Sequence, residues 1–357
     1  MGIFDASLLA ATVTIAAPLL LGAVGELVSE RAGVFNVGME GMILTGAFFG
    51  FLAEDKSGSA TAGLAAGAAA GLFIGILMAV IAVELKANQI VTGVGLILFA
   101  TGLTSYLFQT LFTITPQAMN PIAPVSIPGL VRLGGVGRAL FDQQPLVYLA
   151  FALIPAVSLL IYRTRWGINI RAVGESPRAA DTAGVNVRRV QWSCTLFAGA
   201  MGGLAGALLS VGNVGTFTEQ MSGGRGFLVL AAVLFGRWRP RWVLASCLLF
   251  AASDALQLRL QGLPSVPREV WAALAIALVI YAAHSWARKG GVATIVLPAL
   301  AAMGAFALFG LDPQVQVASQ LWLSLPYLLA LAVLAGSIGH TRIPSHLGVA
   351  YHRSEAT

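Results

Sequence analysis

The chain has 357 residues, 57% of them hydrophobic and only 10% charged, with a formal net charge of +6 and a mean hydropathy of +0.84. That balance excludes an ordinary soluble domain, and it excludes intrinsic disorder, which needs low hydrophobicity and high charge. Apolar runs continuous for about 20 residues also exclude an outer-membrane barrel, whose short strands alternate apolar and polar positions.

Taken in chain order, the first seven residues carry no basic stretch and no cleavage site, so the first apolar run reads as a retained span, not a signal peptide. Runs of spanning length fall at 6–24, 37–53, 61–83, 90–112, 144–162, 191–211, 226–236, 241–258, 269–287, 292–310 and 320–336. The expected fold is therefore an all-α polytopic membrane protein of about eleven spans. The 226–236 run is too short to cross alone. It is expected to begin in the Gly-rich stretch before it, as a broken or re-entrant helix. The many Gly and Ala residues suit close helix packing in lipid.

Two polar breaks interrupt the spans, GELVSERAGVFN at 25–36 and GNVGTFTEQMSGG at 212–224. After them, the segments Gly41–Ala47 and Gly226–Ala232 can be laid over each other, and the alternation of spans runs them in opposite directions. That predicts an inverted repeat with halves 1–135 and 144–260, an arrangement that puts a solute path at the helix breaks. Two unrelated surface loops are the alternative. A Pro- and Gly-rich loop, 113–143, separates the halves.

The longest charged loop, 163–190, contains a predicted short helix: Ser176 is a good N-cap, Pro177 suits the first helical position, and Gly184 is a good terminator. Fifteen of the 21 Lys and Arg fall on this loop's side of the membrane, six of them within the loop. By the positive-inside rule this side is cytoplasmic, the C-terminus inside and the N-terminus outside. The +6 then reports topology and contact with anionic lipid, and no nucleic-acid partner is expected.

Reactive constellations are missing from the text. The three Lys lie in DKS, LKA and RKG contexts, none a phosphate-binding loop, so energy from ATP must come from another chain. His284, His340, His346 and His352 have no HExxH or CxxC partner, Cys194 and Cys247 sit in apolar runs, and no GxSxG occurs. No catalytic residue, metal or bound cofactor is expected. Of the acids at membrane depth, Glu26, Glu30 and Glu40 surround the first break with Arg31, and Glu219 flanks the second with Arg225. Glu30 and Arg31 read best as interfacial and solvated. Glu40 is expected to accept from a helix N-terminus or to pair with Arg31, and Asp254, inside a span, lines a cavity or holds a helix pair together.

GELVSERAGVFNVGMEGMILTGAF, ANQIVTGVGL, GINIRAVGESPRAADTAGVNVRRV, GGLAGALLSVG, GFLVLAAVLFG, LPYLLALAVLAG and SHLGVAY, in this order, resemble the permease subunits of bacterial ABC importers. More narrowly, the chain is similar to the shorter permease of the nucleoside and simple-sugar branch, related to ribose and branched-chain amino-acid permeases, over about residues 15–260 and 318–352. The resemblance implies a second homologous permease, an ATPase with two nucleotide-binding modules that holds ATP and Mg, and a periplasmic or lipoprotein substrate-binding protein. It implies a cytoplasmic coupling element at 171–189, with Arg171, Glu175, Ser176, Pro177, Arg178, Asp181, Gly184, Arg188 and Arg189 facing or shaping the ATPase contact. Residues 267–317 depart from the pattern as an inserted helical hairpin, before a last span and tail at 318–357.

The expected function is translocation of a small polar solute, best a nucleoside, by alternating access, with an ion-coupled secondary transporter as the alternative. Candidate lining positions at the breaks are Asn36, Glu40, Asn88, Gln89, Asn213, Glu219 and Gln220. Phe35 and Phe217 are candidate stacking surfaces for a ring.

Overall fold

The computed structural model describes residues 5–112, 119, 121–263, 265–287, 292–311, 322–328 and 343–351. Thus Arg288, Lys289, Arg342, Arg353, His340, His352, residues 312–317 and the 329–336 part of the last expected span lie outside the described residues. The described residues are overwhelmingly helical. Helix α1 (Ala6–Arg31) starts at Asp5, whose carboxylate accepts from the N–H groups of Ser7 and Leu8. After a break come α2 (Met39–Ser57) and α3 (Ala60–Met78), the latter prolonged as π-helix to Glu84. Asn88 caps α4 (Gln89–Leu111). Within 113–143, expected as plain loop, lie a 3-10 turn at Leu130–Arg132, a short helix α5 (Gly134–Phe141) and two paired two-residue strands, β1 (Val125–Ser126) and β2 (Asp142–Gln143).

The second half opens with α6 (Pro145–Arg163), its Pro at the first helical position. The charged loop holds two helices where one was expected: α7 (Arg165–Glu175), capped by the Thr164 hydroxyl, precedes α8 (Pro177–Thr182). Then follow α9 (Val187–Ala207), prolonged as π-helix to Val214, α10 (Arg225–Phe235), α11 (Pro240–Gln261), α12 (Arg268–Ala287) and α13 (Val292–Leu311). Among the described residues six helices are long and apolar enough to cross a membrane: Ala6–Arg31, Ala60–Glu84, Gln89–Leu111, Pro145–Arg163, Val187–Val214 and Pro240–Gln261. The Gly-rich stretch before α10 is not helical, and α10 begins only at Arg225, because Gly223 and Gly224 take left-handed φ angles of 55° and 80°.

Helices α1 and α9 form the centre. From Thr12 to Glu30, α1 is buried apart from two positions near its start, held between α9 on one side and α6, α10 and α11 on the other. In the α2–α3–α9 cluster, glycines bring the backbones together. A Cβ at Gly203 would stand 2.2 Å from the Gly67 carbonyl oxygen, and one at Gly206 would stand 1.9 Å from that of Ile43. Such approach gains dispersion contact along whole turns, the main attraction left to helices in lipid. Helices α12 and α13 pack on each other as a hairpin.

Polar contacts gather at the two ends of the bundle. At one end Arg31 donates to the Trp238 carbonyl and to the Tyr162 hydroxyl, and Arg188 pairs with Glu84 at 2.6 Å. At the other, Arg259 pairs with Asp5 at 2.8 Å, Gln109 donates to Glu219 at 3.1 Å, and the Met119 N–H reaches the Gly215 carbonyl. The Ser7 hydrogen bond, and after it Arg259, hold the Asp5 carboxyl down at about 2.

Candidate functional site

The two breaks enter the bundle from opposite ends. Residues 32–38 fold back alongside α1 from the Arg31 end, where the Asn36 N–H donates to Glu26 Oε1 at 3.1 Å. Residues 215–224 come in from the other end. The helices that follow, α2 and α10, meet at their N-termini. Glu40, in the first turn of α2, accepts from the Gly224 N–H at 2.9 Å through Oε1 and from the Gly226 N–H at 2.6 Å through Oε2. One carboxylate thus satisfies two of the orphan donors of α10 while sitting at the positive ends of two helix dipoles. Gly226 is required for this: a Cβ there would lie 2.4 Å from the Glu40 nitrogen. Of the two partners expected for Glu40, the helix N-terminus is the one found, and it belongs to a helix 185 positions further along the chain.

Beside the opposite, C-terminal end of α10, Glu30 is 1% exposed, which corrects its reading as a solvated interfacial group. Its carboxylate accepts from the Trp238 indole N–H, and Trp238 is itself buried. Arg31 is half-buried and donates to the same residue's carbonyl at 2.7 and 3.0 Å. Arg237 and Trp238 both hold left-handed φ angles, 51° and 52°, an unfavourable conformation for side-chain-bearing residues. The paired grip of Glu30 and Arg31 on Trp238 is what maintains that turn between α10 and α11.

The nine expected lining positions form three groups. Phe35, Asn36 and Gln89 stand together: the Phe35 N–H donates to Gln89 Oε1 at 2.7 Å, and Asn36 and Gln89 are both buried. Asn88 lies next to them, its side chain spent on capping α4. Glu40 forms the middle. Asn213, Phe217, Glu219 and Gln220 belong to the second break, with Glu219 and Gln220 exposed and Gln220 at a φ of 56°. Phe217, a candidate stacking surface for a ring, is 1% exposed in this conformation. It packs edge-on against Phe48 (5.2 Å between ring centres) and Phe108 (5.3 Å) and stacks on Phe51 (6.5 Å). The aromatic cluster thus ties the second break to the later turns of α2 and the end of α4.

The 163–190 loop makes a surface of its own. Ser176 caps α8, Pro177 and Ala180 turn inward, and Gly184 ends the turn at a φ of 84°. Several of the expected coupling residues hold the platform together: Arg171 lies over the Tyr162 ring, and Arg188 binds Glu84. Arg178, Ala179, Thr182 and Arg189 are exposed.

Residues 343–351 strap this platform to the first break. The Ser345 hydroxyl donates to Glu175 at 2.9 Å, the His346 N–H to the Gly174 carbonyl at 3.0 Å, the Gly348 N–H to the Gly33 carbonyl at 3.1 Å, and the Tyr351 hydroxyl to Asp181 at 3.0 Å. Burial, and then the nearby Arg178 charge, lower the His346 pKa below its usual 6.5. A depressed imidazole contributes stability in full above pH 6.5 and loses it as the pH falls below that value, because the released chain binds the proton first. The amide protection factors at 343–351, which remove the intrinsic pH dependence of exchange, should therefore fall between pH 7.5 and 5.5, and His346→Gln should flatten the change.

A family model described as branched-chain amino acid transport system / permease component matches residues 8–283. TsgC13 of Haloferax volcanii, described as a glucose ABC transporter permease protein, is 40% identical over 264 residues, covering 73% of this chain and 79% of that protein. The guanosine ABC transporter permease protein NupQ of Bacillus subtilis is 34% identical over 257 residues (70% and 81%), and the nucleoside ABC transporter permease protein NupC of Lactococcus lactis 33% over 261 (70% and 82%). Each of these organisms supplies a second, more distant match, a glucose, a guanosine and a nucleoside permease protein at 29%, 28% and 24% identity. No solved structure matches the chain.

Proposed function

The chain belongs to the permease-component family of ABC transport systems, and we propose that it carries a nucleoside across the cytoplasmic membrane as one half of a heterodimeric importer. As a transport subunit of such a system it is not itself the ATPase, which is a separate subunit. The paired permeases of the three relatives support a second, homologous permease beside this one. A tandem ATPase carrying ATP and Mg and an outer substrate-binding protein complete the assembly. The observation that carries the reading is the junction of α2 and α10 at Glu40, two helix N-termini at membrane depth joined by a single carboxylate.

In this assembly the 163–190 surface is cytoplasmic, the N-terminus is outside, and Arg178, Thr182 and Arg189 face the ATPase. The path follows the breaks, with Phe35, Asn36 and Gln89 at its inner part and Phe217, Glu219 and Gln220 at its outer part. Nucleotide binding moves α8, and the strap at 343–351 transmits the displacement to Gly33 and the first break. The halves 1–135 and 144–260 act as the two inverted repeats, and the hairpin within 267–317 lies outside them.

The coupling claim is tested on the complete complex. Reversing Arg178 and Arg189 to Glu, or Gly184→Val, should lower substrate-stimulated ATP hydrolysis by about tenfold, equivalent to about 1.4 kcal/mol of docking energy. Assembly in the membrane should be preserved. Wild-type stimulation in all three variants would place the docking surface elsewhere.

A further inference from the structure

Between α10, α11 and residues 322–328 lies a cavity of about 260 Å³ whose lining includes Arg225, Asp254, Gln257, Leu258, Leu323 and Tyr327. Arg225 and Asp254 stand 3.4 Å apart, a loose ion pair, and the same guanidinium reaches the carbonyls of Met221 and Ser222 at 3.3 Å. The Tyr327 hydroxyl donates to the Gly223 carbonyl at 2.8 Å, which fixes residues 322–328 against the second break. Asp254 lies five residues before Arg259 on α11, about 7.5 Å along the axis, so the cavity sits inside the membrane near the end marked by the Asp5–Arg259 pair.

The cavity opens on the outer surface of the chain: Leu258, Leu323 and Tyr327 are 57%, 53% and 45% exposed. A guanidinium, a carboxylate and an amide cannot open onto hydrocarbon cheaply, and ionisable groups at such depth face water-filled paths. Its volume lies just below the usual range of ligand pockets, about 300–1,000 Å³, and suits a single ring. The chemistry is that of sugar recognition. A carboxylate accepts from both hydroxyls of a vicinal diol, and a guanidinium donates to ring or hydroxyl oxygens.

We infer that this cavity is a solute subsite on the outer part of the translocation path, and that it binds the vicinal diol of a sugar ring. The inference rests on the permease reading above for its setting. Vicinal diols are common to the ribose of a nucleoside and to a free hexose, and the experiment separates the two sources.

In the reconstituted complex, Leu258→Cys is exposed to a membrane-impermeant thiol reagent; native Cys194 and Cys247 are buried and add little background. Adenosine, glucose and 2′,3′-dideoxyadenosine are then tested as protectants with the cognate binding protein present. The expected result is labelling from the outer side, slowed by adenosine if a nucleoside is the source or by glucose if a hexose is, and not slowed by the dideoxy compound. Asp254→Asn should weaken the protecting compound by about ten- to hundredfold, as for loss of a charged hydrogen-bond acceptor. No labelling, labelling that none of the compounds slows, or equal protection by the dideoxy compound would overturn the inference. Failure of transport in the unmodified complex would count instead against the proposed function, since labelling and protection are read without transport.

Discussion

Glu40→Ala is expected to destabilise the protein by about 2–5 kcal/mol and to abolish transport. The substitution removes two charge-assisted hydrogen bonds and leaves the Gly224 and Gly226 N–H groups without an acceptor at the buried α2–α10 junction. Glu40→Gln should lie between, because its amide oxygen satisfies one of the two donors. Thermal unfolding of the purified complex and solute uptake are measured side by side. A Glu40→Ala protein with wild-type stability and uptake would mean that the junction is neither a structural nor a functional element.

The second large effect is expected at Gly206. Any side chain there meets the Ile43 carbonyl oxygen at 1.9 Å and the Ala47 nitrogen at 2.6 Å, all backbone, so nothing nearby can rotate away. Gly206→Val should separate α9 from α2 and prevent accumulation of the folded protein, a loss beyond the usual 1–3 kcal/mol or so of overpacking. Gly95 is the control: the space around its Cβ position is open, and Gly95→Ala should leave expression and unfolding unchanged. A Gly206→Val protein that accumulated and unfolded like the parent chain would contradict the close α2–α9 packing.

What could be read from the chain alone was mostly local. Ser176, Pro177 and Gly184 announce α8 through capping and turn chemistry that acts within a few residues. The close α3–α9 approach left a trace in the four-residue spacing of Gly67, Gly71 and Gly75 and of Gly199 and Gly203, which becomes informative only once the two helices are known to face each other.

Pairing between distant elements was not legible. In spans that are apolar all round, hydrophobic periodicity no longer distinguishes a buried face from a lipid face. The break flanking Glu40 was visible, but not that its carboxylate would close on Gly224 and Gly226. The burial of Glu30 is hidden for the same reason: it depends on Trp238, whose left-handed turn has no glycine to signal it. The strap at 343–351 likewise owes its place to partners at Gly33, Gly174, Glu175 and Asp181, all more than 160 residues away.

The central claim is that this chain moves solute under the control of a separate ATPase. It is tested most directly by adenosine uptake into proteoliposomes that contain this chain, its partner permease and the tandem ATPase, with the binding protein supplied on the side opposite the ATPase. Uptake that requires ATP on the ATPase side, persists when proton and sodium ionophores collapse all ion gradients, and disappears with Glu40→Ala is the predicted result. Uptake that continues without the ATPase and stops with the ionophores would contradict it.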